Sequence, residues 1–198
     1  MWIVKLGGSL AGDSTLWQWL ETLARCGGGR VVIVPGGGPF ADAVRDAQEL
    51  WGFDDSTAHG MALLAMEQYG LMLCGLCPAL VPARSQAEIY AVLRNAGVVV
   101  WLPAAMTHNG DDIPARWDVT SDSLSAWLAR RMSAERLVLV KACDIPAQRF
   151  NADELARLGV VDATFPQWVS KACFKTFVLS KEQHPTMQLM LLDNRVTE

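Results

Sequence analysis

Four short segments of this 198-residue chain carry residue types and spacings suited to handling anions. The first is Lys5-Leu6-Gly7-Gly8-Ser9. Two glycines directly after a strand let backbone amides approach an anion closely, and the positive end of the next helix adds to that field. Side chains alternate along a strand, so Lys5 can share a crevice with the loop beyond it. A lysine beside such an amide nest neutralises charge on a transferring phosphoryl group. Standing alone, the motif is equally an ordinary strand-to-helix turn with an exposed lysine, and it lacks the G-x-x-x-x-G-K-[ST] spacing of a Walker A loop.

The second segment, Pro35-Gly36-Gly37-Gly38-Pro39, places three glycines between an apolar strand and a helix. It is either a flexible turn or a second backbone cradle for an anion. Two cradles at two strand ends would hold two phosphates or carboxylates facing each other. Phosphoryl transfer needs that arrangement, because positioning and charge stabilisation supply most of its catalysis.

The third segment is Trp117-Asp118-Val119-Thr120-Ser121-Asp122. Thr120 or Ser121 can cap a helix, with an acid in its first turn. Asp122 is then a capping-turn acid, a carboxylate orienting Lys5 and a second cation, or an organiser of Mg²⁺. The fourth is Val140-Lys141-Ala142-Cys143-Asp144-Ile145-Pro146. Lys141 and Asp144 suit the phosphates and ribose of ATP, and a plain strand end fits as well. His59 opens a helix beyond the triple glycine, where it either starts the helix or touches an acceptor. His108 and His184 carry less weight, and Trp117 stands out among eight tryptophans because it precedes the acidic loop.

The elements that must position these residues alternate along the whole chain. Continuous apolar runs predict strands over Trp2–Leu6, Val31–Val34, Val98–Leu102 and Leu137–Lys141, with closing strands at Thr176–Leu179 and Met187–Leu192. Helical spacing covers Asp13–Cys26, Phe40–Leu50, Thr57–Cys77, Gln86–Asn95, Thr120–Met132 and Ala152–Leu158. Ala163–Lys175 reads as helix and connector, and Pro103–Asp118 as a polar loop. Such alternation predicts an α/β fold: a three-layer α-β-α sandwich with a mostly parallel central sheet, in one domain over residues 1–198. Ligands of such sheets bind beyond the carboxyl ends of the strands, where Gly7–Leu10, Gly36–Gly38 and Ala142–Asp144 fall.

Composition narrows the function classes. At 51% hydrophobic and 19% charged residues the chain suits a compact enzyme. A net charge of −4 without a basic stripe argues against nucleic acid. The most apolar stretch, Met61 to Pro82, has too few consecutive apolar residues to span a bilayer, so no membrane partner is expected. No secretory signal precedes the first strand, and five cysteines make an odd count, which together predict reduced thiols and a cytoplasmic protein. Cys74 and Cys77 form a C-x-x-C with no second pair to complete a zinc site, and the flanking leucines favour a buried helical face.

Together the four segments resemble the amino acid kinase family, which includes acetylglutamate, carbamate, aspartate and uridylate kinases. Its K-x-G-G-S is matched by Lys5, Gly7, Gly8 and Ser9, its triple-glycine acceptor loop by Gly36, Gly37 and Gly38, and its (T/N)-x-D helix start by Thr120-Ser121-Asp122. Its nucleotide segment resembles Val140 to Ile145. The resemblance implies ATP and Mg²⁺, a small-molecule acceptor, and a homodimer or higher homo-oligomer. By resemblance Lys5 stabilises the transferring γ-phosphoryl and Asp122 orients catalytic lysines. Gly7, Gly8 and Ser9 bind ATP phosphates, with Lys141 and Asp144 near the nucleotide. Gly36, Gly37, Gly38 and His59 meet the acceptor.

The stretches from His59 to Gly70 and from Val161 to Pro166 are similar to the archaeal-type branch of methanofuran biosynthesis, which phosphorylates an aminomethyl-furanmethanol phosphate to its diphosphate. Two departures stand out. Where relatives carry a second catalytic lysine, this chain reads Gly159-Val160-Val161-Asp162-Ala163, leaving Lys171 or Lys175 to reach in or no second lysine at all. The nucleotide segment reads Cys-Asp-Ile-Pro in place of Asp-Gly, with Pro146 removing a backbone donor. These departures admit an alternative, a nucleotide-binding or storage protein of the same fold without kinase activity.

Overall fold

The computed structural model describes residues 1–107, 113–143, 145 and 151–193. Among them, six strands form one sheet in the order β3 (Leu80–Ala83), β4 (Val98–Trp101), β2 (Val31–Pro35), β1 (Trp2–Leu6), β5 (Arg136–Lys141) and β6 (Lys175–Ser180), every pairing parallel. The helices are α1 (Thr15–Cys26), α2 (Gly38–Trp51), α3 (Asp55–Leu76), α4 (Gln86–Arg94), α5 (Ala104–Thr107), α6 (Ser121–Arg131), α7 (Ala152–Arg157), α8 (Phe165–Val169) and α9 (His184–Leu192). A 3-10 turn over Gly8–Gly12 links β1 to α1.

The period of two along the strands divides the core. Ile3, Val32, Val34, Val99, Leu137 and Leu139 pack on one face with residues of α4, α6, α7 and α8. Val4, Leu6, Val31, Ile33, Val138 and Val140 pack on the other with α1 and α9. Both faces are covered, so the central strands are apolar without alternation, as their sequences require. The long helix α3 serves both layers: Leu63 and Met66 join the first cluster, Tyr69 and Leu73 the second.

One expected strand is a helix. Met187–Leu192 lies within α9, which places Pro185 in its first turn and buries Met187 and Leu191, four residues apart, toward the α1 side. A six-residue segment with five apolar positions is too short for a periodicity that separates strand from helix, and docking against α1 decides it. Conversely, β3 was not expected. It is an edge strand with Val81 and Pro82 exposed, and a proline is tolerated there because the outer side needs no ladder donor. The expected Pro103–Asp118 loop contains the short α5, whose Ala104 amide donates to Glu67 Oε1 at 3.0 Å. His108, Asp144 and Pro146 lie outside the described residues.

Among the described residues no helix is long and apolar enough to cross a membrane. The cysteines are free thiols. Burial, and then the neighbouring Cys77, push the Cys74 thiol up to about 11, so the C-x-x-C belongs to the packed end of α3 and not to reactive chemistry.

Candidate active site

Strand parity brings two lysines together. Residues 3 and 5 of β1 face the α6 layer, as do 137, 139 and 141 of the adjacent β5. Lys5 is in register with Leu139, so Lys141 emerges two residues further along the neighbouring strand on the same face. Above them starts α6. Thr120 caps it, its hydroxyl accepting from the Asp122 amide, and this turn points the Asp122 carboxylate down between the lysines. Lys5 Nζ lies 2.9 Å from Asp122 Oδ1, and Lys141 Nζ donates to Oδ2 at 2.5 Å. The three side chains are 7%, 11% and 5% exposed for Lys5, Lys141 and Asp122.

Buried charges persist only when paired, and here two cations share one anion, leaving a formal excess of one positive charge. Burial opposes ionisation of Asp122, but the charges of Lys5 and Lys141 outweigh it and hold the carboxyl below the usual carboxylate range. For Lys141 the balance runs the other way. Burial, then repulsion from Lys5, bring its ammonium down to about 8 despite the attraction of Asp122. The group is a preorganised cationic patch lacking one negative charge, which suits a phosphoryl group in transfer.

The two glycine loops are interlocked backbone to backbone. A Cβ on Gly8 would lie 2.3 Å from the Gly38 nitrogen, and one on Gly36 would lie 2.3 Å from the Gly8 nitrogen. Gly38 adds a left-handed φ of 55° and sits over the Tyr69 ring. The Gly36 amide donates to the Leu6 carbonyl at 2.8 Å, tying the ends of β1 and β2 together. The glycines at 8 and 36 are therefore demanded by the approach of one loop to the other, before any ligand enters.

A cavity of about 380 Å³ opens over this floor. Lys5, Asp122 and Lys141 line it together with Gly8, Ser9, Gly37 and Gly38, and further out with His59 of α3, Arg45 of α2, and Arg116 and Trp117 of the segment before α6. Gly7 and Gly36 support the loops from behind and do not line it. Burial lowers the His59 pKa, leaving a neutral imidazole at neutral pH. Trp117 is pinned by its indole N–H to Gln48 Oε1 at 2.6 Å, with the Arg45 guanidinium 4.8 Å from its ring centre.

A second lysine does stand beside Lys5: it is Lys141, which the sequence places near nucleotide phosphates. Lys175 begins β6 in register with Arg136, at the opposite end of the sheet, and neither it nor Lys171 lines the cavity. Arg45 and Arg116 carry no spacing signal and escaped the sequence reading. Asp162 escaped it too as a functional residue, although the stretch around it is one that resembles a known branch.

These features coincide with a shared ancestry. The model of the amino acid kinase family matches residues 1–146. The chain belongs to that family. This kinase is 25% identical over 206 aligned residues to the (5-(aminomethyl)furan-3-yl)methyl phosphate kinase of Methanocaldococcus jannaschii, across 98% of this chain and 94% of the relative. Its fold is shared with the uridylate kinase of Archaeoglobus fulgidus, at a TM-score of 0.70 and 19% identity over 97% of this chain and 95% of the other. Isopentenyl phosphate kinase superposes at a TM-score of 0.60 and 15% identity, over 97% and 96% of the two chains. The kinase is a phosphotransferase, with ATP as the phosphoryl donor.

Proposed function

We propose that this kinase transfers the γ-phosphoryl of ATP to a small acceptor that already carries a phosphate, and that the acceptor is (5-(aminomethyl)furan-3-yl)methyl phosphate, giving its diphosphate. The observation that carries the reaction class is the Lys5–Asp122–Lys141 group opening onto a cavity lined by two arginines. The acceptor rests on the relative of that activity, which aligns along almost the whole of both chains.

The chemistry fits an acceptor oxygen that is already ionised. A hydroxyl acceptor would need a general base, yet Asp122 has both oxygens engaged by lysines. A phosphate monoester has its second ionisation near pH ~6 and attacks without one. In this reading the amides of Gly8 and Ser9 hold the ATP phosphates, with Gly7 shaping the loop behind them, and Lys5 and Lys141 meet the charge on the equatorial oxygens. Asp122 keeps the two ammonium groups in place. Gly37, Gly38 and His59 hold the acceptor phosphate, with Gly36 setting the loop and Arg116 adding charge. The bond from the γ-phosphorus to the bridging oxygen breaks, ADP leaves with that electron pair, and the acceptor oxygen forms the new P–O bond. Asp144 is assigned to the nucleotide by its place in the sequence alone.

Among the described residues no group of three metal-ligating side chains stands together. In this reading magnesium enters as part of the substrate MgATP, and no residue here is assigned to hold it. A single domain spanning residues 1–198, working in the cytoplasm as a homo-oligomer, completes the reading. Leu50, Trp51, Leu64 and Leu71 on the α2–α3 pair are exposed and favour assembly. The reading of a storage protein without turnover is motivated by the missing second lysine and by the altered nucleotide segment; Lys141 beside Lys5 speaks against the first motive, and Asp144 and Pro146 of the second lie outside the described residues.

The test is ADP release with MgATP against the furan phosphate, uridylate, acetylglutamate, carbamate and isopentenyl phosphate. Strong turnover of the furan phosphate alone supports the proposal. Preference for a carboxylate acceptor sinks the proposed acceptor while leaving the kinase. Absence of turnover on every acceptor, with ATP bound, sinks both.

A further inference from the structure

The starts of α6 and α8 share one carboxylate. Asp162, between α7 and α8, accepts through Oδ2 from the Thr120 amide at 3.1 Å, the Thr120 hydroxyl at 2.7 Å and the Ser123 amide at 3.0 Å. Through Oδ1 it accepts from the Ser123 hydroxyl at 2.5 Å, the Thr164 amide at 3.2 Å, the Thr164 hydroxyl at 3.0 Å and the Phe165 amide at 2.9 Å. A carboxylate has about four lone-pair sites, so these donors crowd it from two sides and leave it little freedom.

The first oxygen takes over part of an N-cap. In a self-capped helix the cap side chain satisfies the amide of the second or third helical residue, and the others need partners elsewhere. Here Thr120 takes only the Asp122 amide, while its hydroxyl proton and the Ser123 amide go to Asp162. The second oxygen reaches the loop in front. Thr164 Oγ1 lies 2.8 Å from Ser123 Oγ and 3.0 Å from the Asp118 carbonyl, so its single proton is shared between Asp162 and Asp118, next to the cavity-lining Arg116 and Trp117. Packing does not need this: α6 is already buried through Leu124, Trp127 and Leu128. The orientation of the first turn decides where the Asp122 carboxylate meets Lys5 and Lys141.

We propose that Asp162 is a positioning residue for phosphoryl transfer: it fixes the first turn of α6, and with it Asp122 and the lysine pair, and links that turn to the loop lining the acceptor side. It touches no substrate. This rests on the Lys5–Asp122–Lys141 group being the catalytic centre, and not on the identity of the acceptor.

The test compares Asp162→Ala, Asp162→Asn and Ser123→Ala with the wild type. In Asp162→Ala the proposal expects kcat to fall roughly ten- to a hundred-fold, the cost of misplacing a catalytic group by about 1 Å, with the ATP KM within about two-fold. Asp162→Asn, which keeps one acceptor oxygen, recovers part of the loss. A second readout needs no acceptor. The Lys141 side chain is titrated by NMR in the ligand-free protein. The charged groups acting on it are Asp122, Lys5 and Cys143. If Asp122 slips away, its attraction is lost and Lys141 deprotonates at lower pH. Ser123→Ala removes one donor with little risk to folding and shows the same two effects at smaller size. Unchanged kcat and Lys141 titration in folded Asp162→Ala, with only a lower melting temperature, overturns the proposal. If that variant does not fold, unchanged values in Ser123→Ala overturn it instead. Wild-type inactivity toward the furan phosphate would sink the proposed acceptor and leave the titration arm to decide the role of Asp162.

Discussion

Lys141 Nζ and Asp122 Oδ2 stand 2.5 Å apart, across the junction of β5 and the first turn of α6, and Lys5 holds the other oxygen of the same carboxylate. Replacing Lys141 by methionine keeps most of the buried stem and removes the charge. Loss of one preorganised charge-stabilising donor costs about 100-fold or more in kcat. Steady-state kinetics of Lys141→Met and Lys5→Met should both show that loss, and a near-normal kcat in either would remove that lysine from the mechanism.

The same pair separates activity from stability along the pH axis. Burial, then the charge of Lys5, lower the Lys141 pKa to about 8, against 10.5 ordinarily. Activity that needs the ammonium falls as pH rises through about 8. Stability moves oppositely. Between about 8 and 10.5 the unfolded chain holds the Lys141 proton and the folded chain does not, so this group makes folding more favourable as pH rises through that window. Alkaline loss of kcat/KM without a fall in melting temperature is the expected result. Lys5→Met removes the repulsion and should move the residual alkaline limb to higher pH.

Asp122→Asn should harm the fold as well as the reaction. It leaves two buried ammonium groups facing each other without their anion, and breaking a buried ion pair costs about 3 to 5 kcal/mol. The Asp122 carboxyl is opposed by burial but held below the ordinary range by its lysines, so its contribution is present above the ordinary carboxylate range and is lost as pH falls through its lower folded value. Denaturant melts from pH 7 to pH 2 should show a shallower acid dependence in the variant. The double variant Asp122→Asn/Lys141→Met should recover part of the stability, because only one unpaired cation remains.

Much of this was legible before any coordinates, for local reasons. Lys5-Leu6-Gly7-Gly8-Ser9 sits where a parallel strand ends, and sheet geometry alone sends both loop and lysine to the same edge. The relation of Lys141 to Lys5 was not legible, since it depends on β5 lying beside β1 in a particular register. Nothing in Val140-Lys141-Ala142 encodes which strand becomes the neighbour. The same holds for Asp162, whose donors lie 39 and 42 residues away in α6 and its cap as well as next door. The error at Met187–Leu192 has a different origin: a six-residue segment with five apolar positions is too short to show a period, and contact with α1 chose the helix.

Glycine substitutions should sort by what a Cβ would strike. At Gly8 it would meet backbone of the opposing loop at 2.3 Å, which no side-chain rotation relieves, so Gly8→Ala must part the two loops. Lower melting temperature and loss of turnover are expected together. At Gly75, exposed within α3, a Cβ meets nothing within 4 Å. Gly75→Ala should raise stability by up to about 1 kcal/mol through helix propensity, with unchanged kinetics. Equal effects at both positions would contradict the interlocked loops.

The acceptor side makes the last prediction. Arg116 lines the cavity, and its guanidinium is held by Asp118, whose carboxyl lies below its ordinary range through that contact. An incoming phosphate competes with Asp118 for the same donors, so the net gain is smaller than a free arginine would give. An exposed charge-assisted hydrogen bond is screened by solvent, and Arg116→Gln should raise the acceptor KM by roughly ten-fold at most while leaving the ATP KM and kcat near wild type. Asp118→Asn frees the guanidinium and should lower the acceptor KM. A change confined to the ATP KM would instead place Arg116 on the nucleotide side and reverse the assignment of the two ends of the cavity.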